Sequence, residues 1–353
     1  MKLLRCTCVV LLSCSVLSCE LAHAEQAPQL IPVSGDVKYT HDPSIIKDGD
    51  TWYLFSTNNG PERNGELPIR CSPDLKNWKR CGYVFSGLPE WIKKASPQTK
   101  ELWAPDISYF NGEFHLYYAF SVFGKNTSGI ALATNKTLNP KSPDYRWIDH
   151  GLVLQSRLED DFNAIDPNLV FDEQGHAWLS FGSFWSGIKM RRIDPKTGML
   201  SMEDTKLYSL AARKRPPNPP LNPPGLPGDW QAIEAPFIVH QDDYFYLFVS
   251  FDLCCRGTKS NYKTMVGRSR NVNGTYVDES GTPMLEGGGT PLIVGNQRWI
   301  GPGGESLLLQ KEGDIIVYHA YDEKSGEPWL QISSIAWVNG WPKAAIAGAQ
   351  SHN

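Results

Sequence analysis

Residues 41–57, His41-Asp42-Pro43-Ser44-Ile45 running through a turn at Lys47 to Asp50 into the strand Trp52 to Thr57, are one copy of a unit that recurs along the chain. The other copies enter at Ala104-Pro105-Asp106-Ile107, Asp166-Pro167-Asn168-Leu169, Glu234-Ala235-Pro236-Phe237 and Gly301-Pro302-Gly303-Gly304. Each then reaches an aromatic or β-branched strand: Phe114 to Ser121, Ala177 to Ser183, Tyr244 to Ser250 and Ile315 to Tyr321. The five prolines stand 62, 62, 69 and 66 residues apart. A repeat of this length made of strands and turns fits one propeller blade, because a lone four-stranded sheet has two faces to bury and must stack on neighbours. Five units predict an all-β, single-domain, five-bladed β-propeller with its core at about residues 36–345. The runs are rich in aromatic and β-favouring residues, and no sustained 3.6-residue apolar period appears beyond the leader, so helix is expected to be scarce.

Ahead of the repeats, Lys2 and Arg5 precede an apolar stretch from Val9 to Leu17 and the triplet Ala22-His23-Ala24. That is the pattern of a signal peptide covering residues 1–24, with residues 25–353 as the mature propeller domain. A secreted or periplasmic location is the expectation. Val16-Leu17-Ser18-Cys19 also loosely resembles a lipoprotein box, and acylation at Cys19 is the alternative, a membrane tether. No stretch has the length of a membrane-spanning helix. Loss of Lys2, Arg5 and Glu20 with the leader takes the net charge from −4 to −5. A mildly acidic chain without a basic stripe argues against nucleic acid as partner. Nothing in the sequence calls for an oligomer, and a monomer is the expectation.

Four cysteines remain after the leader: Cys71, Cys81, Cys254 and Cys255. Cys71 and Cys81 flank the turn from Pro73 to Trp78 and are placed to form a disulfide across a hairpin in an oxidising compartment. The adjacent Cys254 and Cys255 either close an eight-membered ring or stay as two buried thiols. No CxxC spacing is present, so a zinc site is not expected. The segment Pro216 to Pro227 carries seven prolines and lies just before Glu234, where it reads as a stiff connecting loop beside the acid-bearing unit.

Three of the units carry a carboxylate at their entry: Asp42, Asp166 and Glu234. Asp before Pro is a common turn residue, and one alone would mean little. Three at matching places in a ring would converge on one axis. Two carboxylates at a fixed separation are the minimum equipment for hydrolysing a glycosidic bond, one to protonate the leaving oxygen and one to activate water or attack the sugar.

His41-Asp42-Pro43-Ser44-Ile45, Leu102-Trp103-Ala104-Pro105-Asp106, Asn163 to Asn168, Phe181-Gly182-Ser183-Phe184-Trp185 and Ala232 to Phe237, taken in order, resemble the signature segments of glycoside hydrolase family 43, most closely its endo-1,5-α-L-arabinanases. The resemblance runs from about His41 to Gly340-Trp341-Pro342. It implies a five-bladed propeller that cuts internal α-1,5-L-arabinofuranosyl linkages of arabinan with inversion, taking arabinan and arabino-oligosaccharides as substrates. It implies further that Asp42 is the general base, Glu234 the general acid, and Asp166 a third carboxylate that orients the acid and raises its pKa. Inversion asks for base and acid carboxyls ~6.5 to 9.5 Å apart. Trp103, Phe123, Phe184 and Trp185 are candidates to stack on sugar rings, with inter-blade packing as the alternative. Asn168 and Ser183 could bond sugar hydroxyls or satisfy strand ends. No organic cofactor is implied. His319 is similar to the family's central histidine, which contacts a bound ion, usually calcium, mostly through water; as a lone histidine it also fits an ordinary core position. His41, His115 and His176 are read as structural. Two other readings stand beside the first: an exo-acting α-L-arabinofuranosidase or β-xylosidase on the same scaffold, and a carbohydrate-binding propeller without catalysis.

Overall fold

The computed structural model describes residues 27–58, 60–62, 64–219, 228–346 and 348. The leader at residues 1–24, Cys19 and most of the proline-rich segment lie outside the described residues.

Five antiparallel sheets form in chain order, each innermost strand being the repeat entry. Blade 1 comprises Thr40–Asp48, Thr51–Asn58, Glu66–Ser72 and Asn77–Phe85, with Ser34–Gly35 added in parallel at its outer edge. Blade 2 comprises Leu102–Phe110, Glu113–Phe120, Ser128–Asn135 and Ile148–Ser156. Blade 3 is built on Asn168–Phe171, Ala177–Phe181 and Ile188–Asp194, and its outer edge is split between Met199–Leu200 and Tyr208–Ala211. Blade 4 comprises Ile233–Gln241, Tyr244–Phe251, Lys263–Ser269 and Thr290–Val294. Blade 5 comprises Trp299–Leu308, Ile315–Asp322, Pro328–Val338 and Trp341–Ala344. Helix is scarce as expected: among the described residues there is one α-helix, Glu90–Ala95, and three single 3-10 turns.

Alternation along each second strand explains why both faces are apolar. In blade 2, Leu116 and Tyr118 pack against Tyr53, Phe55 and Ile69 of blade 1, while Tyr117 between them turns to Leu169 and Leu179 of blade 3. In blade 4, Phe245 and Leu247 face blade 3, and Tyr246 and Phe248 face blade 5. A period of two therefore loads each inter-blade core from both sides. The ring closes where Ile45 and Leu54 of blade 1 meet Val317, Leu330 and Ile332 of blade 5. The N-terminal segment staples that joint, since Ile31 N–H donates to Ile332 O and Leu330 N–H donates to Val37 O. Buried Arg70 fixes the same segment by donating to the carbonyls of Asp36 and Lys38 and to Ser56 Oγ.

The innermost strands of blades 1, 2, 4 and 5 carry a bulge next to the axis, and that of blade 3 begins only at Asn168. The residue at the corresponding turn has a left-handed backbone in every blade: Asp42 (φ 48°), Ala104 (φ 40°), Asp166 (φ 56°), Ala235 (φ 51°) and Gly304 (φ 60°). Four of these precede proline. These five residues and the residue after each line one axial channel. Two residues past the strained one, a side-chain acceptor reaches the next blade. Ser44 Oγ accepts Ile107 N–H (3.1 Å), Asp106 Oδ2 accepts Leu169 N–H (2.8 Å), Asn168 Oδ1 accepts Ile238 N–H (2.8 Å) and Ser306 Oγ accepts Ile45 N–H (3.2 Å). Blade 4 offers Phe237 at that place, and its link to blade 5 runs instead through Ser250 Oγ, which accepts Gly304 N–H at 3.0 Å.

Two expectations about the repeat are corrected by this register. The fifth copy of the motif is Gly304-Glu305-Ser306, not Gly301-Pro302, because Gly303 pairs with His319 as His41 pairs with Thr57. Glu234 is not in the slot of Asp42 and Asp166. Ala235 occupies it, and Glu234 stands one residue earlier, where blade 1 has His41 and blade 2 has Trp103.

Candidate active site

A cleft of about 520 Å³ opens over the axis and is lined by residues of blades 1 to 4. Asp42, Asp166 and Glu234 all line it, so the three carboxylates predicted from sequence converge. Their surroundings differ.

Asp42 Oδ2 receives both of the carboxylate's hydrogen bonds, from Thr57 Oγ1 at 2.8 Å and from His41 Nδ1 at 3.0 Å. Oδ1 has no hydrogen-bond partner among the described residues, and His319 Nδ1 stays 4.0 Å from it. The space beside Oδ1 depends on a glycine: a Cβ on Gly304 would lie 2.8 Å from that oxygen. Burial pushes the Asp42 carboxyl up, but the charge and hydrogen bond of His41 and the Thr57 hydroxyl outweigh it and bring it down to about 2. Burial pulls His41 the other way and loses to the Asp42 carboxylate, so its pKa is raised. Tyr321 Oη holds the far side of the ring, 2.7 Å from His41 Nε2. His319, fully buried in blade 5, stacks on His41 with ring centres 3.7 Å apart, and burial keeps it neutral by moving its pKa well down.

Glu234 is buried among neutral donors. Ser183 Oγ donates to its Oε2 at 2.7 Å, and Tyr262 supplies a second hydrogen bond. Burial raises its pKa, opposed by those hydroxyls and reinforced by the Asp42 charge. Asp166 is pushed up further, by burial first and then by the charges of Glu234 and Asp42. Its Oδ2 accepts the N–H of Ala235, the residue after Glu234, at 3.1 Å. Two close, buried carboxyls cannot both ionise cheaply, so the pKa values of Asp166 and Glu234 are raised while that of Asp42 is lowered.

The remaining predicted residues divide. Trp103, Phe123, Phe184 and Trp185 line the cleft, with Phe123 78% exposed at its edge. Phe184 and Trp185 both take left-handed backbones (φ 58° and 44°), and Gln231 Nε2 holds the Trp185 carbonyl at 3.1 Å. Ser183 lines the cleft but spends its hydroxyl proton on Glu234. Asn168 is not among the lining residues: its Oδ1 serves Ile238 N–H and its Nδ2 donates to Asp106 Oδ1 at 3.3 Å, tying three blades together. His319 lies below the floor against Asp42, matching Thr57 by register. Its Nδ1 accepts Asp42 N–H at 3.3 Å, which leaves the ring proton on Nε2. A protonated nitrogen does not ligate a cation, and a group of two imidazoles and one carboxylate is poor in the oxygens calcium prefers. Contact with an ion through water fits this histidine, and direct ligation does not.

Sequence reasoning missed Thr57, Tyr262 and Tyr321, which act through contacts between residues distant in sequence that no local pattern marks. It also read His41 as structural, although its position beside the predicted base was a usable signal. His115 and His176 do sit away from the cleft, stacked on Phe110 and bonded to Asp172. Both cysteine pairs are disulfides: Cys71–Cys81 joins neighbouring strands of blade 1, and Cys254–Cys255 closes the ring between adjacent residues.

Residues 33–342 match the family model of glycosyl hydrolases family 43. The chain belongs to that family. It is 44% identical over 305 residues to an extracellular endo-α-(1→5)-L-arabinanase of Bacillus subtilis, covering 86% of each chain. It is equally 44% identical, over 313 residues, to an extracellular exo-α-(1→5)-L-arabinofuranosidase of Cellvibrio japonicus, covering 86% of this chain and 85% of that one. Its backbone superposes on the Cellvibrio cellulosa α-L-arabinanase solved with arabinohexaose at a TM-score of 0.81, with 41% identity over 88% of this chain and 96% of the other. The family assignment agrees with the fold and with the separated carboxylate environments in the cleft.

Proposed function

We propose that this family 43 enzyme hydrolyses α-1,5-linked L-arabinan, cutting within the chain and inverting the anomeric centre. The observation that carries the reading is the division of one cleft into a carboxyl whose pKa is held low and a neighbouring pair whose pKa values are pushed up. Asp42 acts as general base. Thr57 and His41 hold its Oδ2, and Oδ1 beside Gly304 is the atom left to take a proton from the attacking water. Glu234 acts as general acid. Ser183 and Tyr262 hold its carboxyl by hydrogen bonds while it delivers a proton to the leaving oxygen. Asp166 orients the acid through the Ala235 peptide, and its carboxyl close to that of Glu234 opposes ionisation of both together. The placement differs in emphasis from the sequence expectation, since burial comes before charge in raising the acid.

The aromatic residues Trp103, Phe184, Trp185 and Phe123 give the cleft rings against which furanose C–H faces can stack. When bound, a central calcium ion reached from His319 Nε2 through water would add positive charge below Asp42. Residues 1–24 serve as an export signal and the mature protein is extracellular and monomeric; the Bacillus and Cellvibrio relatives are both described as extracellular. No helix among the described residues is long and apolar enough to cross a membrane.

An exo mode on the same residues is the second reading, favoured by the equal identity of the Cellvibrio exo-acting relative. Product profiling on linear debranched arabinan separates the two: mixed short oligomers early in the reaction support endo cleavage, and a single small product from the first minutes refutes it. Proton NMR of the first anomer released tests inversion. Binding of arabinan with no turnover at any pH would return the chain to the non-catalytic class.

A further inference from the structure

We propose that the Cys254–Cys255 disulfide is a positioning element for the Asp42 carboxylate, acting through Tyr321 and His41. The inference rests on the reading of Asp42 as general base.

The two cysteines follow the second strand of blade 4, Tyr244–Phe251, and line the cleft. Bonding adjacent cysteines encloses one peptide unit in a small ring, and that unit loses its freedom to rotate. Its N–H is the one that belongs to Cys255. It donates to Tyr321 Oη at 2.8 Å. The same phenol oxygen lies 2.7 Å from His41 Nε2, and His41 Nδ1 lies 3.0 Å from Asp42 Oδ2. A continuous chain therefore runs from the ring-locked peptide to the base. Tyr321 and His41 are 2% and 5% exposed, so water does not replace a lost partner readily. Cys255 Sγ adds a contact of its own, 3.8 Å from His41 Nε2.

Backbone conformation supports the assignment. Cys255 has a φ of 66°, a region that a side-chain-bearing residue holds only when its surroundings impose it. Opening the ring releases this residue and lets its N–H swing off Tyr321. The phenol and then the imidazole lose a fixed neighbour, and the carboxylate moves with them. A misplacement of about 1 Å at a reacting group costs up to about a hundredfold in rate, so a partial loosening should be read in kcat.

The rival role is a simple cleft wall, which would be felt in substrate affinity. Three variants distinguish the two: Cys254→Ser with Cys255→Ser, Tyr321→Phe, and all three together. Kinetics are run on debranched arabinan and on an aryl arabino-oligosaccharide whose phenol leaves without protonation. The expected result is a kcat lower by about tenfold in the serine variant with KM within about twofold. The loss should be equal on both substrates, because a better leaving group spares the acid and not the base. Tyr321→Phe should reproduce it, and the triple variant should fall less than about twofold below Tyr321→Phe alone. Unchanged kcat, a rise in KM alone, or losses that multiply in the triple variant would each overturn the inference.

If the serine variant does not fold, the native ring is opened with the phosphine TCEP, which is oxidised to its oxide as two thiols form with protons from water. Cys71→Ser with Cys81→Ser serves as the background in which only this disulfide can respond. The same fall in kcat, reversed on reoxidation, is expected, and no fall overturns the inference. Asp42→Asn separates the two levels of argument. Full activity in that variant removes the base reading itself, whereas an inactive Asp42→Asn beside a fully active serine variant removes only the role of the disulfide.

Discussion

Replacing Thr57 by valine keeps the shape of the side chain and removes its hydroxyl. That hydroxyl does two things: it donates to Asp42 Oδ2 at 2.8 Å and accepts the buried N–H of Ala104 at 2.8 Å. A hydrogen bond to an ionised group contributes about 1.5–3 kcal/mol, which at about 1.4 kcal/mol per pKa unit is roughly one to two units. The Asp42 pKa, now held at about 2, should rise to roughly 3 to 4. The sign follows from the role. A base works only when ionised, so activity is lost as pH falls through its pKa, and a higher pKa moves that loss to higher pH. The acid limb of kcat/KM should therefore shift upward by roughly one to two pH units, while the rate at pH 7 changes only a few-fold. A second consequence is independent of chemistry: the orphaned Ala104 N–H should lower the unfolding free energy by about 1–3 kcal/mol in urea titrations. An acid limb that superposes on the wild-type profile would refute the place given to Thr57 and to Asp42.

Glu234→Gln retains the acceptor for Ser183 and should fold, but kcat on arabinan should fall by about 10²- to 10⁴-fold, with most of the loss recovered on an aryl substrate that leaves unprotonated. Asp166→Asn removes one of two buried carboxyls that oppose each other's ionisation, so the alkaline limb of kcat should move to lower pH; an alkaline limb that stays or rises contradicts their mutual effect. Asp106 and Glu305 are buried at the axis and pushed up to about 7. A carboxyl raised in the folded state stabilises below its unfolded pKa and loses that contribution as pH rises through the folded value. Urea stability should therefore decline between about pH 4 and 7, by up to about 4 kcal/mol from Asp106 alone, and Glu305→Gln should flatten part of the slope. A stability that climbs across this window would exclude such burial.

Much of this was legible because the repeat is written in residues that act locally. Proline fixes a strand entry, and aromatic strands at regular spacing need neighbours on both faces, so blade number and the convergence of Asp42, Asp166 and Glu234 followed from spacing. Register was not legible. Pro302 resembles the other entry prolines, yet the strand continues past it through Gly303, and Glu305 stands where the others have proline. Nothing in a single strand shows which residue its partner will face. Asn168 failed as a sugar ligand for a related reason: its amide is consumed by the blades on either side. Thr57, Tyr262 and Tyr321 were not legible, because Thr57 and Tyr321 are ordinary strand residues and Tyr262 an ordinary loop residue until the ring closes.

The ring is nearly symmetric and the chemistry is not, and the strained slot at each repeat entry shows how one becomes the other. Two of its five places hold carboxylates, Asp42 and Asp166, while Ala104, Ala235 and Gly304 keep the floor low. Giving blade 4 an alanine there moves its acid back by one residue, out of the Asp42 environment and towards the hydroxyls of Ser183 and Tyr262. Blades 1 and 5 meanwhile place two stacked imidazoles beside Asp42 alone. One carboxylate is thus paired with a protonated imidazole and a hydroxyl donor while the other is left among neutral donors, and their pKa values separate although they stand one position apart in the same repeat. Glu234 moved into the slot by exchanging it with Ala235 would keep every residue type in the cleft. It should still lose the acid, because a side chain one position along the strand no longer meets Ser183.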